Sequence, residues 1–362
     1  MFKFLAIQKV LGVLLVFMSI NACKDELPEP KKEYPQPTAF EIAISSAFPS
    51  IPIPVDNPTT VEGIALGRML FYDPIISRDS SMSCASCHVQ EHAFSDPNRF
   101  SIGVDDLPGT RQAMALVNVA YPNKLMWDGR NASLEEQALG PVEHPLELNI
   151  AWEEVEKRLQ RSAVYPEMFG NAFGNDIPDR NMAVKAIAQF ERTLISQTSK
   201  FDLARQNGSG VFFSEEELRG YELFENEKGN CFHCHGSILF TDNSFGNNGL
   251  DAVANASQFS DLGLGAISGK TTDNGLFRAP TLRNIALTAP YMHDGRFNTL
   301  EEVLDHYSSG IEASPTLHPI IQSESPGGVG LTAQQKSDLI AFLHTLTDTA
   351  FVNNPAFSNP FE

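Results

Sequence analysis

The sequence predicts a mainly α-helical protein built from two small domains with long loops. Three observations predict this fold class. Apolar residues recur at three- and four-residue spacing in five segments, which is the period of an amphipathic helix. Strand-like alternation is scarce. In addition, two stretches of the chain resemble each other at a fixed offset, which indicates two copies of one supersecondary unit.

The predicted helices follow from that spacing and from their start signals. Ser214 and Thr332 each open a capping box, in which a hydroxyl side chain and a Glu or Gln three residues later satisfy free backbone donors. Serine or threonine stands at the N-cap position of several of the segments. The five helical segments cover residues 134–142, 181–196, 214–224, 299–310 and 331–347.

The first 38 residues predict export and anchoring. A cationic start and an apolar run from Val10 to Ile20, too short to span a bilayer comfortably, predict a signal peptide over residues 1–22. The signal ends in "SINAC", similar to a bacterial lipobox, with Cys23 as the acylated residue. The charged, proline-rich residues 23–38 predict an extended tether. The alternative is an ordinary secretory signal in which Cys23 has no role.

The acidic composition constrains the partners. Lys and Arg total 26 against 45 Asp and Glu, a formal net charge of −19. This charge argues against nucleic acid and favours a basic protein partner. The alternative is that the charge only maintains solubility.

Four cysteines form two C-x-x-C-H motifs. This pattern attaches c-type haem, because two thiols bind the vinyl edge of a porphyrin and the adjacent histidine reaches the iron. Zinc sites and thiol redox pairs also use C-x-x-C. Two copies behind an export signal favour haem, with the histidines as proximal iron ligands. The residues are Cys84, Cys87, His88, Cys231, Cys234 and His235.

The internal repeat supports a duplicated haem unit. Residues 116–136 align without gaps with residues 282–302 at an offset of 166, while the C-x-x-C-H motifs are offset by only 147. The second copy therefore carries a loop 19 residues longer between its haem motif and "DGR". We predict an N-terminal haem domain over residues 39–206, a C-terminal haem domain over 207–352 and a C-terminal tail over 353–362.

On "GRMLFYDPIISRDSSMSCASCH", "WDGR", "LEEQALGPV", "FRAPTLRN" and "YMHDGRFNTLEEVLDHY", the chain resembles the bacterial di-haem cytochrome c peroxidase family and its MauG-like subgroup. The resemblance implies two cytochrome c-like helical domains with two covalently bound haem c groups. Hydrogen peroxide would react at the N-terminal haem. A small c-type cytochrome or copper protein would donate electrons to the C-terminal haem. It also implies a homodimer. The signal and the lipobox predict a periplasmic or outer-membrane-associated lipoprotein of a Gram-negative bacterium, attached to the membrane only by its lipid.

The resemblance also implies three catalytic residues. Cleavage of peroxide needs one group that moves a proton between its oxygens and one that orients it. Glu147 matches the acid/base and Gln137 the orienting residue. Trp127 matches a tryptophan that shortens the electron path between the haems. The alternative is that Gln137 faces solvent and Glu147 caps a helix.

Two positions depart from the better-known peroxidases. Where many members carry a distal histidine in "SIGH", this chain reads "SIGV" with Val104, so we predict an N-terminal haem that is open at rest. His92 or His144 could substitute. At the position of the usual methionine ligand of the C-terminal haem stands Tyr307, as in MauG-like members.

For the sixth position of the C-terminal haem, the alternatives to Tyr307 are His306 and Met292. A phenolate ligand lowers the reduction potential relative to a thioether. The resemblance also implies a calcium site formed by the carbonyls of Thr288 and Pro290 and by Gln112. The usual side chain at the last position is asparagine, so the longer glutamine leaves occupancy open.

The preferred hypothesis is a di-haem peroxidase that reduces hydrogen peroxide to water with electrons from a small redox protein. A second hypothesis is MauG-like oxidation of a protein substrate, motivated by Tyr307 and Val104. A third is a non-enzymatic di-haem electron carrier, which requires six ligands at both irons and gives Glu147 no role.

Overall fold

Helices form most of the regular structure, which confirms the predicted fold class. The computed structural model describes residues 32–362, so the predicted signal peptide, Cys23 and most of the tether lie outside the described residues. Strands β1 (Phe245–Gly246) and β2 (Phe277–Arg278) form an antiparallel ribbon. Across the described part, we find no helix that combines the length and apolar character needed to cross a membrane.

The N-terminal half is built on the packing of its first helix against its last. Gly67 allows this contact, because a Cβ there would lie 1.9 Å from the carbonyl oxygen of Ala186. Thr60 caps the first helix by accepting from the backbone N–H of Gly63. The helices are α1 (Val61–Tyr72), α2 (Leu134–Glu143), α3 (Trp152–Arg161), α4 (Tyr165–Phe173) and α5 (Arg180–Arg192). Sequence analysis did not predict α1, α3 or α4.

The C-terminal half repeats this contact between α7 and α12. A Cβ on Gly220 of α7 would lie 1.9 Å from the carbonyl oxygen of Asp338 on α12. Both predicted capping boxes, at Ser214 and Thr332, are confirmed. The helices are α6 (Lys200–Arg205), α7 (Glu215–Phe224), α8 (Phe232–His235), α9 (Leu264–Ser268), α10 (Leu300–Ser309), α11 (Pro319–Glu324), α12 (Ala333–His344) and α13 (Thr349–Val352).

The chain's last residues pack on the N-terminal half. The rings of Phe351 and Phe357 lie 5.8 and 6.5 Å from the ring of Phe94 and share a buried cluster with it. The hydroxyl of Tyr72 donates to the carbonyl of Phe357 at 2.7 Å. Residues 353–362, which we predicted as a tail, are therefore held against α1 by contacts with both backbone and side chains.

The internal repeat has a structural counterpart. Asn118 and Asn284, which are 166 residues apart, are both buried and both have positive φ, at 56° and 62°. Both approach Ser196: Asn118 donates to its carbonyl and Asn284 donates to its hydroxyl, each at 3.1 Å. The two repeat units therefore meet at the segment that follows α5.

Candidate functional site

The first motif forms a tight turn that gathers its three functional side chains. The backbone N–H of His88 donates to the carbonyl of Cys84 at 3.0 Å, so Cys84, Cys87 and His88 lie on one short turn. The Nδ1 of His88 lies 2.8 Å from the carbonyl oxygen of Phe94. A carbonyl only accepts, so Nδ1 carries the hydrogen and Nε2 is available to a metal.

The second motif repeats this geometry on α8. The backbone N–H of His235 donates to the carbonyl of Cys231 at 3.0 Å, and its Nδ1 lies 3.2 Å from the carbonyl oxygen of Phe240. Phe94 and Phe240 are both fully buried with positive φ, at 59° and 52°. Each histidine is thus oriented by a backbone carbonyl on the turn that follows its motif.

The four thiols are unsuited to the alternative uses of C-x-x-C. Burial raises the pKa of Cys87 and Cys234 to about 11 and that of Cys231 to about 12, and it also raises the pKa of Cys84. Thiol redox pairs instead need lowered pKa values. Within residues 32–362 no group of three or more His, Cys, Asp or Glu side chains is arranged to hold a metal ion, so a zinc centre of that kind is absent there.

The cavity beside the second motif has the lining that a haem requires. Its walls combine Cys231, Cys234 and His235 with apolar side chains from α10, α11 and α12. Two buried polar atoms on its walls, Asn230 Oδ1 and His318 Nδ1, have no hydrogen-bond partner in the described part of the chain. Buried polar atoms are normally paired, so both fit contacts to a bound group. The residues present therefore fit a covalently attached haem.

The predicted acid/base lies close to the first motif. Glu147 follows α2, and its electrostatic influence reaches both Cys84 and Cys87. Burial raises the pKa of Glu147, whereas His144 and Arg130 oppose that shift. Its Oε1 lies 3.5 Å from the Nδ1 of His144, and 41% of its side chain is exposed. The carboxyl is thus within electrostatic range of the first motif and partly exposed to solvent.

The segment with Val104 lies directly on the backbone of Glu147. The N–H of Val104 donates to the carbonyl of Glu147 at 2.9 Å. A Cβ on Gly103 would lie 2.3 Å from the carbonyl oxygen of Leu146, so glycine is needed for this approach.

Gln137, the predicted orienting residue, lies on α2 with its amide nitrogen 3.9 Å from the sulfur of Met126.

Trp127 lies between the two halves. Its indole N–H donates to the carbonyl of Gln112 at 2.8 Å, and its ring centroid is 6.5 Å from that of His293 in an edge-on arrangement. His293 in turn stacks on Phe277, with 3.6 Å between ring centroids. Trp127, His293 and Phe277 all line the cavity of the second motif.

The three candidate ligands of the second haem differ in their positions and contacts. Tyr307 and Met292 line the cavity, and the side-chain N–H of Asn248 lies 3.1 Å from the hydroxyl oxygen of Tyr307. His306 is buried with its Nε2 3.0 Å from the backbone carbonyl oxygen of Asn248. Burial raises the pKa of Tyr307 to about 12, and the Asn248 contact opposes that shift.

The predicted calcium ligands all belong to the lining of this cavity. Gln112, Thr288 and Pro290 line the same cavity, and Gln112 N–H donates to the carbonyl of His293 at 2.8 Å. The side-chain amide of Gln112 donates to the carbonyl of Asp96 at 3.3 Å. This side chain is thus engaged with the backbone, and calcium binding stays a prediction.

Sequence analysis missed two residues of this cavity. Asn248 lies in the longer loop of the second repeat, and that insertion was the available signal. Arg278 lies in "FRAPTLRN", which we used only to identify the family resemblance. Its guanidinium is buried in the cavity wall.

Comparisons with known proteins agree with this geometry. Residues 61–209 match the family model of di-haem cytochrome c peroxidase. The chain is 36% identical over 300 residues to methylamine utilization protein MauG of Methylophilus methylotrophus, covering 82% of this chain and 86% of the relative. It is 35% identical over 330 residues to cytochrome-c peroxidase IdrP1 of Pseudomonas sp. strain SCT, covering 83% and 84%.

A crystal structure of a MauG-like protein associated with microbial copper homeostasis has a similar fold. The two chains superpose with a TM-score of 0.81 at 36% sequence identity, and the match covers 90% of this chain and all of the other.

Proposed function

The chain belongs to the di-haem cytochrome c peroxidase family, and from this premise we propose that it reduces hydrogen peroxide to two waters with two electrons from a small redox protein. Family membership implies two covalently bound haem c groups. When bound, each haem supplies an iron that exchanges electrons. We assign peroxide to the His88 haem and electron entry to the His235 haem. The electrostatic effect of Glu147 on Cys84 and Cys87 of the first motif carries this assignment.

Glu147 would move the proton that peroxide cleavage requires. The O–O bond breaks more easily when the departing oxygen receives a proton. A carboxyl group whose pKa is raised above its usual value is suited to supply that proton. Burial raises the pKa of Glu147, which favours its protonated form. Its partial exposure gives it a route for protons from solvent. Gln137 would orient the peroxide through its amide.

Val104 would leave the peroxide side of the first haem open at rest. Its side chain is a hydrocarbon and provides no atom that binds iron. His144, one of the two imidazoles that sequence analysis offered as a substitute, has its Nδ1 3.3 Å from the backbone nitrogen of Leu146 and 3.5 Å from Glu147 Oε1. These contacts direct His144 towards its own loop. The enzyme would therefore accept peroxide without prior reduction.

Electrons would enter at the second haem and pass by Trp127. The position of the indole on the wall of the second cavity and its hydrogen bond to the carbonyl of Gln112 in the N-terminal half support this route. The net charge of −19 favours a basic donor, which we propose to be a small c-type cytochrome or a copper protein. We also propose that the protein is periplasmic, dimeric and anchored by an acylated Cys23.

A second candidate function is oxidation of a protein substrate, as the resemblance to MauG allows. The observation that favours it is the contact of Asn248 with Tyr307 inside the cavity. An anionic phenolate ligand stabilises oxidised iron. This second reaction differs from that of a peroxidase in the source of its electrons. They would come from side chains of another protein.

Electron paramagnetic resonance of the oxidised holoprotein tests the proposed function. One high-spin and one low-spin signal, both lost after one equivalent of peroxide, are expected. Steady-state peroxide consumption with a reduced basic cytochrome should accompany them. Two low-spin signals that peroxide does not change would contradict an open haem. If peroxide abolishes both signals but no electron donor supports peroxide turnover, the second candidate function is favoured.

A further inference from the structure

Arg278 carries a buried charge without a carboxylate partner. Three arginines of the described chain are buried: Arg192, Arg278 and Arg283. Arg192 pairs with Glu135, and Arg283 forms a two-pronged pair with Asp202 at 2.8 Å. Across residues 32–362, Arg278 has no ion pair of this kind. It therefore differs from the two other arginines that share its degree of burial.

The contacts that Arg278 does make are all neutral. Its guanidinium nitrogens lie 3.1 Å from Asn243 Oδ1, 3.3 Å from the carbonyl oxygen of Met126 and 3.6 Å from the sulfur of Met114. Burial lowers the pKa of Arg278 to about 10, so the group is still charged at neutral pH. A buried charge without a counter-ion is strongly unfavourable. The contacts of the chain alone leave this charge uncompensated.

The backbone holds Arg278 at a defined place on the wall of the second cavity. It is the last residue of β2, it pairs with Phe245, and its N–H donates to the carbonyl of Trp127 at 2.9 Å. Its side chain lines the cavity that also contains Cys231 and His235. The missing anion must therefore be a group that enters this cavity.

We propose that Arg278 binds a propionate carboxylate of the haem attached at Cys231 and Cys234. Haem carries two propionates, and the planar guanidinium matches a carboxylate with two parallel hydrogen bonds. The ion pair would compensate both charges away from water. Because Arg278 also contacts Met126 and the backbone of Trp127, it would fix this edge of the haem against the N-terminal half. The inference rests on haem binding and not on the proposed reaction with peroxide.

The test compares Arg278→Met and Arg278→Lys with the unsubstituted holoprotein. Reduction potentials of both haems are measured by spectroelectrochemical titration, and propionate bending bands by resonance Raman spectroscopy. Arg278→Met should lower the potential of the C-terminal haem, because a positive charge that favours electron uptake is lost while the carboxylate is retained. It should also shift one set of propionate bands. Arg278→Lys keeps the charge and should restore most of the potential.

An Arg278→Met protein with two haems, an unchanged potential and unchanged propionate bands would overturn the proposal. If that variant is not recovered with two haems, Arg278→Gln replaces it, and equal potentials in the Gln and Lys variants would overturn the proposal in the same way. The alternative counter-ion for Arg278 is a small anion from solvent. In that case added phosphate would shift the potential of the unsubstituted protein, which would also overturn the proposal.

Peroxide turnover is measured separately on the same samples. A protein that shows the expected potential shift but consumes no peroxide refutes the proposed peroxidase reaction alone. A protein that consumes peroxide and whose potentials are unchanged in Arg278→Met, or in the Arg278→Gln protein that replaces it, refutes the role of Arg278 alone.

Discussion

The side-chain amide of Asn248 donates to the hydroxyl oxygen of Tyr307 at 3.1 Å and lies 3.5 Å from the sulfur of Met292. One donor therefore contacts both cavity-facing candidates for the sixth position of the second haem. The backbone carbonyl of Asn248 also lies 3.0 Å from the Nε2 of His306. A single residue of the longer loop thus contacts all three candidate ligands.

Substitution of Asn248 by alanine should lower the reduction potential of the C-terminal haem. A hydrogen bond to a phenolate oxygen partly compensates its negative charge. Reduced iron compensates less of that charge than oxidised iron does, so the hydrogen bond stabilises the reduced state more. The backbone carbonyl that faces His306 is retained in this variant. Spectroelectrochemical titration measures the shift, and Asn248→Gln, which keeps an amide donor, is the matched control. An unchanged potential would argue against Tyr307 as the ligand.

Glu147→Gln should reduce peroxide turnover by about 10²–10⁴-fold, the usual contribution of a general acid/base. The amide has the shape of the carboxyl group but does not transfer its proton. Haem content and both resting spectra should stay unchanged. The control is Glu153→Gln, at an exposed position of α3. Full activity in Glu147→Gln would remove this residue from the mechanism, whereas an absence of peroxide turnover in both the variant and the unsubstituted protein would agree with an electron carrier.

Val104→His should close the N-terminal haem. An imidazole at this position would provide the nitrogen ligand that valine lacks, and the high-spin signal in the oxidised protein should become low-spin. Peroxide should then react only after the C-terminal haem has been reduced. Val104→Ala, which adds no ligand, should keep the high-spin signal. A high-spin signal that persists in Val104→His would show that this position does not face the iron.

Glu191 should make the folded protein less stable as the pH rises. Its carboxyl is 4% exposed, one of its oxygens has no hydrogen-bond partner in the described residues, and burial raises its pKa to about 8. The folded state therefore binds this proton more tightly than the unfolded state, whose pKa is near 4.5. The stabilising contribution is complete below pH 4.5 and is lost as the pH rises through 8.

Glu191→Gln removes this titration, so its melting temperature should exceed that of the unsubstituted protein above pH 8. The difference should correspond to a few kcal/mol in the free energy of unfolding, on the order expected for a shift of this size. Near pH 4.5 the two proteins should melt alike. Thermal unfolding followed by circular dichroism across this range measures both, and parallel curves would contradict the prediction.

The sequence by itself determined the chemistry that depends on neighbours along the chain. Each C-x-x-C-H motif places two thiols and an imidazole within five residues, so one turn is enough to bring them together. The capping boxes at Ser214 and Thr332 also involve residues three positions apart. Periodicity identified five amphipathic segments but missed α1, α3 and α4. Apolar residues lie on most sides of α1, whereas α3 has the expected spacing in Trp152, Val155 and Leu159 and was overlooked.

Tertiary structure decided which distant side chains share a cavity. The contact between Asn248 and Tyr307 spans 59 residues, and that between Arg278 and Met126 spans 152. A pattern along the chain does not encode such distances, because they depend on how the loops fold back over the helices. Whether a buried arginine has a partner depends on the same packing. The motifs therefore predict that haem is attached, whereas the fold determines which polar groups surround it.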